Sequence, residues 1–371
     1  MLETQRYLQT KTLDDLKQDY AISSWIQPEL GVVTLNYNQI MSPMEEPIVQ
    51  ECRALTLALA DWRVVSWPLA RFFNWGQSQV PSEFNYSRFK VYEKLDGSLI
   101  HFYHLPQHGW VCGTRSVPDA NTRMDDTQLT FRRLVEQTIT EMGFTWDSFV
   151  SQLNPACCYG YELTAPENRV VVDYPDRHLT LLTVRDLSTL DEIPVEEWAQ
   201  QTGYVGPVVP YYGIFSDIAA LHADAQKRDP LKHEGFVLVD EAFHRIKLKA
   251  EAYFFMSSRR DSLTKSNRAR IELILADAAD DVLPTLSAHQ QGKILELQAR
   301  LQEVVHQVEA LWEAHKGIPD DKEFALAVVP TGLHGPLFAL RRGRVETVLD
   351  FFKQTSSRNV LGYLKVDAED E

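Results

Sequence analysis

The chain has 371 residues, 44% hydrophobic and 24% charged, with a formal net charge of −15. That length accommodates two domains with cores of their own, and the acidic balance argues against a general, nonspecific nucleic-acid binder, which is usually basic. No apolar run approaches the roughly 20 residues that span a bilayer.

The opening residues, Met1-Leu2-Glu3-Thr4-Gln5-Arg6, lack the basic-then-apolar layout of a secretory signal, so the cytoplasm is the expected compartment. Residues 1–260 read as β-rich with interspersed helices, and 261–371 as all-helical. The expected fold is therefore α+β in two domains. In chain order, Phe89–Glu93 and Leu99–His104 read as strands flanking Lys94. Phe131 to Met142 and Val195 to Thr202 read as helices. Val170–Val172, Leu179–Val184 and Gly235–Val239 have the β-branched content of buried strands. His101, His104 and His108 do not form a zinc site on this reading, because alternation points the first two to opposite faces and Pro106 turns the chain before the third. The adjacent Cys157 and Cys158 read as small buried hydrophobes, and the four cysteines give no metal or disulfide framework. Lys247 and Lys249 alternate with Ile246 and Leu248, so on a strand both amines leave one face while the apolar pair packs behind.

In the helical part, Ile294, Leu297, Leu301, Val304, Val308 and Leu311 recur at three- and four-residue steps, which predicts a helix packed in a small helical domain. Gly317-Ile318-Pro319 ends it. Arg259, Arg260, Lys265, Arg268 and Arg270 form one basic cluster, and Arg341, Arg342 and Arg344 another. Either could hold nucleic-acid phosphates or be a solvated helix face.

The segment Glu93-Lys94-Leu95-Asp96-Gly97-Ser98 carries the chemistry, with a lysine beside an aspartate and a flexible Gly-Ser pair. A lysine amine can attack a nucleotide phosphate. Free lysine has a pKa near 10.4, so about one molecule in 2,500 is uncharged at pH 7, and neighbouring cations favour that form. Lys247 and Lys249 are the candidates. Expelling pyrophosphate also needs cations, which Arg53 and Arg71 can supply bidentately. Gly97 allows close backbone approach to a nucleotide. Glu162 and Glu234 are carboxylates in apolar surroundings, where an unpaired charge is costly. A buried ion pair with a neighbouring Arg or Lys is their structural alternative.

Lys94-Leu95-Asp96-Gly97 is followed in order by Tyr161-Glu162-Leu163, Leu181–Asp186, Glu234–Val239 and Ile246–Lys249. The series resembles the motifs of covalent nucleotidyltransferases. Leu35-Asn36-Tyr37-Asn38, Glu51-Cys52-Arg53, Pro68–Asn74, Ala165–Val171, Ala278–Asp281 and Gly332–Phe338 extend the resemblance to the tRNA-repairing RNA ligases of T-even phages, over nearly the whole chain. That resemblance implies an antiparallel-sheet adenylyltransferase domain followed by a helical RNA-specificity domain. It implies an ATP-dependent enzyme that seals 5′-phosphate and 3′-hydroxyl RNA ends through lysyl-AMP and an RNA adenylate. ATP is consumed, and Mg²⁺ or Mn²⁺ assists. Lys94 would be the nucleophile, with Tyr37, Arg53, Arg71, Gly97, Glu162, Lys247 and Lys249 around the nucleotide, and Glu234 and Asp280 as metal contacts. RNA ends, nicked tRNA among them, would be the substrates in a bacterial or phage-infected cell, after end healing by a separate kinase-phosphatase. Arg71 stands where the family has lysine, and Arg115 where its next motif has lysine. Asp320-Asp321-Lys322-Glu323 is less basic than the family's tRNA-specifying segment. A DNA-ligase or capping-type nucleotidyltransferase and a catalytically idle RNA-binding protein are the alternatives.

Overall fold

The computed structural model describes residues 1–124, 129–169, 171–229, 232–249, 266–276, 279, 283 and 288–368. The chain forms two compact units, Met1–Tyr253 and Phe254–Glu371. The expected boundary at 260, and Asp280, lie outside the described residues. Among the described residues no helix is long and apolar enough to cross a membrane.

Three sheets build the first unit. The first runs β1 (Ile22–Gln27), β2 (Val32–Tyr37), β3 (Arg53–Ala58) and β4 (Val64–Ser66), all antiparallel. The remaining strands are β5 (Phe73–Asn74), β6 (Phe89–Glu93), β7 (Ser98–Leu105), β8 (Gly109–Thr114), β9 (Cys157–Thr164), β10 (His178–Asp186), β11 (Glu192–Ile193), β12 (Tyr211–Phe215), β13 (Gly235–Val239) and β14 (Arg245–Lys249). They order as β11-β10-β9-β7-β8 in the second sheet and β12-β6-β13-β14-β5 in the third. The β14–β5 pair is parallel, within sheets whose other named strand pairs are antiparallel, as expected.

Local sequence explains the placement. β2 (Val-Val-Thr-Leu-Asn-Tyr) is buried along its whole length, as suits a strand paired on both edges. In β13 and β14, Phe236, Leu238, Ile246 and Leu248 fill a core with Phe89, Val91 and Leu221. Val237, Val239 and Arg245 face the opposite way, toward Leu182 and Thr183 of β10. Helix Phe131–Glu141 is capped by Thr130, whose Oγ1 accepts from the Arg133 amide, and buries Leu134, Val135, Thr138 and Ile139. Helix Val195–Thr202 ends at Gly203, in the left-handed conformation at φ 68°.

One expected strand is not one. Val171 and Val172 are a bend, and both amides donate to Asp96 Oδ2 at 2.8 Å, so a side chain takes the place of a sheet partner. His101 is buried, with Nδ1 2.7 Å from Ser66 Oγ and Nε2 3.1 Å from the Thr114 carbonyl. Burial holds its pKa down to about 4. Among the described residues no cluster of three or more metal-ligating side chains occurs. Cys157 and Cys158 are free and buried, and burial pushes the Cys158 thiol up to about 11.

In the second unit, helix Ala288–His315 buries Ile294, Leu297, Leu301, Val305 and Val308, with Val304 and Leu311 at the half-buried edge of the stripe. It packs against helices Asn267–Leu275, Asp321–Val328, His334–Arg341, Val348–Gln354 and Ser357–Leu364. Five neighbours from its own unit, among the described residues, make it a bundle member. The basic clusters are partly structural. Arg270 is fully buried, and Arg268 pairs with Glu272 at 3.1 Å. Arg341 donates to Asp321 Oδ1 at 2.7 Å and to the Ile318 and Pro319 carbonyls at 2.8 and 3.0 Å. Arg342 and Arg344 remain exposed; Arg259, Arg260 and Lys265 lie outside the described residues.

Candidate active site

The loop Lys94–Gly97 crosses from β6 in the third sheet to β7 in the second, so Lys94 stands where the two sheets meet. Its amide donates to the Gly235 carbonyl at 2.9 Å. Each sheet then contributes one carboxylate beside the lysine.

From the third sheet comes Glu234, the residue before β13. Its Oε2 is 2.7 Å from Lys94 Nζ and its Oε1 is 2.8 Å from Lys249 Nζ. Lys249 ends β14 in register with Gly235, which brings its amine back over Glu234. Glu234 and Lys249 are almost fully buried, while Lys94 keeps 18% of its side chain exposed. This is the ion pair anticipated as the structural alternative for Glu234, and the lysine it holds is the expected nucleophile. Gly235 has φ 142°, and a Cβ there would lie 2.2 Å from the Leu248 carbonyl oxygen. Only glycine lets β13 approach β14 this closely.

From the second sheet comes Glu162 of β9, in register with Leu99 of β7. The Gly97 amide donates to its Oε1 at 3.1 Å. Burial pushes its pKa up to about 7, Lys94 and Arg53 pull it down, and Glu234 adds to the rise. A Cβ on Gly97 would fall 2.3 Å from the Leu163 carbonyl oxygen. The visible reason for glycine at that position is thus contact with β9. Asp96 turns away from Lys94 to the Val171 and Val172 amides, while its own amide donates to the Tyr174 hydroxyl at 3.1 Å.

The first sheet and neighbouring loops add arginines. Arg53 opens β3 in register with Asn36, and Arg71 is buried before β5. Arg115 follows β8. Arg71 and Arg115 lie over the buried Tyr37 ring at 4.6 and 5.7 Å from its centroid. Arg53 and Lys247 lie over Phe72 at 5.5 and 5.3 Å. Burial pushes the Arg53 guanidinium down from its usual range, and Arg115 and Arg71 act in the same direction, against Tyr37 and Glu162. Arg53 Nη1 is buried without a hydrogen-bond partner. Six cationic side chains (Lys94, Lys247, Lys249, Arg53, Arg71 and Arg115) surround two carboxylates on a chain whose net charge is −15. Such a surplus of positive charge, buried at Arg71 and Lys249 and half-buried at the other four, suits a polyanion.

Beside this cluster a cavity of about 270 Å³ opens between the second and third sheets. Its walls include Phe72, Tyr92, Glu93, Leu182, Val209 and Val237. Leu182 and Val237 are both partly exposed and give the cavity apolar walls.

The geometry brings together Lys94, Glu234, Lys249, Glu162, Gly97, Arg53, Arg71, Tyr37 and Lys247. Sequence reading gave no role to Phe72, which stands within the Pro68–Asn74 signature and lies under two of the cations, and passed over Tyr174, which holds the Asp96 amide. Neither belongs to a charged pattern, so no spacing signal marks it.

A family model described as RNA ligase matches residues 51–259. An RNA ligase of Rhodothermus phage RM378 is 24% identical over 323 residues, covering 71% of this chain and 71% of that protein. A putative bifunctional polynucleotide kinase/RNA ligase of Autographa californica nuclear polyhedrosis virus is 30% identical over 190 residues, 48% of this chain but only 27% of the viral protein. Among solved structures, an archaeal ATP-dependent RNA ligase gives a TM-score of 0.49 at 14% identity, covering 90% of this chain and 91% of that one.

Proposed function

This chain belongs to the RNA ligase family, and we propose that it seals RNA ends at the expense of ATP, with Lys94 as the covalent carrier of AMP. In the first step the Lys94 amine attacks the α-phosphate of ATP. The N–P bond forms, the P–O bond to pyrophosphate breaks, and pyrophosphate departs with the electron pair. The ammonium gives up one proton to become the nucleophile and a second when the phosphoramide forms. The AMP then passes to a 5′-phosphate of RNA, and a 3′-hydroxyl attacks that adenylate and releases AMP.

The observation that carries this reading is Lys94 and Lys249 sharing Glu234, at 2.7 and 2.8 Å, inside a cluster of arginines. The shared carboxylate fixes the direction of the Lys94 amine, and Lys249 supplies a second positive charge where the phosphates gather. Arg53, Arg71 and Lys247 would bind the leaving pyrophosphate, with Arg53 Nη1 as a buried donor awaiting an acceptor. Tyr37 would serve as the floor beneath Arg71. Glu162 would take the ribose hydroxyls, and the adenine would enter the cavity between Leu182 and Val237. One carboxylate with phosphate oxygens and water suits Mg²⁺ or Mn²⁺, and Glu234 has that chemistry. A cation bound there would neutralise charge on the reacting phosphate.

The helical unit is proposed to select the RNA, nicked tRNA included, with the exposed Arg342 and Arg344 as phosphate contacts. End healing by a separate kinase-phosphatase would precede sealing. The four buried, free cysteines suit the reducing cytoplasm of a bacterial or phage-infected cell. The test is incubation with ATP, GTP or NAD labelled in the transferable nucleotide. Label retained on denatured protein from ATP alone supports ligase chemistry; from GTP it selects capping, and no retention selects a binding protein.

A further inference from the structure

The strand ends that carry Lys94 and Glu234 are joined a second time by the residues just before them. Glu93 is 7% exposed, and its Oε1 lies 3.0 Å from Nδ1 of His233. Its Oε2 accepts from the Tyr212 hydroxyl on β12 and from Arg228 Nη1 at 3.4 Å. Arg228 is itself seated over the Phe236 and Tyr212 rings at 4.4 and 5.1 Å and pairs with Asp224 at 3.2 Å. Lys94 bonds Glu234 while Glu93 bonds His233, so two cross-links of different chemistry bridge the same two chain ends. The backbone bond from Lys94 to Gly235 runs between them.

The two links fare differently during the reaction proposed above, on which this inference rests. Once Lys94 carries AMP its nitrogen is a neutral phosphoramide, and its ion pair with Glu234 is gone. Glu234 then keeps only Lys249 of its two amines. The Glu93 node contains no reacting atom and stays intact. We propose that His233 is a positioning residue, whose bond to Glu93 keeps the ends of β6 and β13 in register while Lys94 is adenylylated. Its contribution therefore falls on transfer of AMP to RNA more than on formation of lysyl-AMP, when Lys94–Glu234 still performs the same task.

The test uses the full chain with His233→Ala and His233→Asn, the latter retaining a side-chain N–H donor. Single-turnover rates are measured for lysyl-AMP formation from ATP and, separately, for AMP transfer from isolated enzyme-AMP to 5′-phosphorylated RNA. With His233→Ala the transfer rate is expected to fall about ten- to a hundredfold, the equivalent of one hydrogen bond to a charged group, at unchanged RNA KM. The formation rate should change far less, and His233→Asn should restore most of the loss. Tyr212→Phe, which removes one hydroxyl from the same node, should show the same preference for transfer if His233→Ala does not fold. Equal slowing of both steps, no slowing, or no rescue by asparagine would overturn the positioning role. Failure of the unmodified chain to form lysyl-AMP would instead overturn the ligase chemistry itself.

Discussion

At Glu162 the protein maintains a carboxylate that burial drives up to about 7 from an ordinary value of 4.5. Because the folded-state pKa is the higher one, the native state holds this proton more tightly than the unfolded chain. The stabilising contribution is complete below about 4.5 and is lost as pH rises through about 7. Glu162→Gln should therefore raise the unfolding free energy relative to the parent near pH 8, by something on the order of 2–3 kcal/mol, with the gain fading toward pH 5. Urea denaturation at both pH values checks this, and a pH-independent difference would remove the assignment. Lys94→Ala should abolish labelling by ATP while still sealing RNA supplied with a preformed 5′-adenylate, since only the first step uses the amine. The two strand lysines should separate. Lys249 is nearly buried against Glu234, so Lys249→Ala should slow lysyl-AMP formation by about 10²–10³-fold and also lower stability. Lys247 lies over Phe72 and is partly exposed, so Lys247→Ala should slow the step with little change in melting temperature. Denaturation curves beside single-turnover rates distinguish them.

At the level of elements, the strands that carry the site were legible where chemistry and periodicity coincide. β6, β7, β10, β13 and β14 all announce themselves by alternation or by β-branched runs, and β14 reproduces the expected split of lysines from Ile246 and Leu248. Val170–Val172 has the same composition, yet the described Val171 and Val172 are not a strand, because Asp96 satisfies their amides from 75 and 76 residues away. No local pattern reports such a partner. Glycine carries a similar non-local message. In sequence Gly97 reads as an opening for a nucleotide and Gly235 as the start of a strand, but both are demanded by neighbouring carbonyls, of Leu163 and Leu248. Gly235→Ala combines that clash with a left-handed φ and should cost about 3 kcal/mol or more, measurable as a shift in the urea midpoint.

Across the whole molecule, the two-unit plan followed from a change of period, β-rich before the junction and helical after it. Which helical-unit arginines are available was not legible. The sequence pattern does not distinguish Arg341, tied to residues 318–321, from its exposed neighbour Arg342. The residues assembled around Lys94 all belong to the first unit. A chain ending near residue 253 that circular dichroism shows to be folded should therefore still form lysyl-AMP while losing its preference among RNA substrates. Retention of the full-length preference would deny the helical unit a recognition role.

The grip of Asp96 on two distant amides also furnishes a native reporter. The Val171 and Val172 protons are withheld from water only while the loop bearing Lys94 keeps its shape. Their deuterium uptake, followed by mass spectrometry, would read the lifetime of that loop without a dye or a mutation. Comparison of nucleotide-free, adenylylated and RNA-bound protein would then show at which stage of the cycle the nucleophile's support loosens.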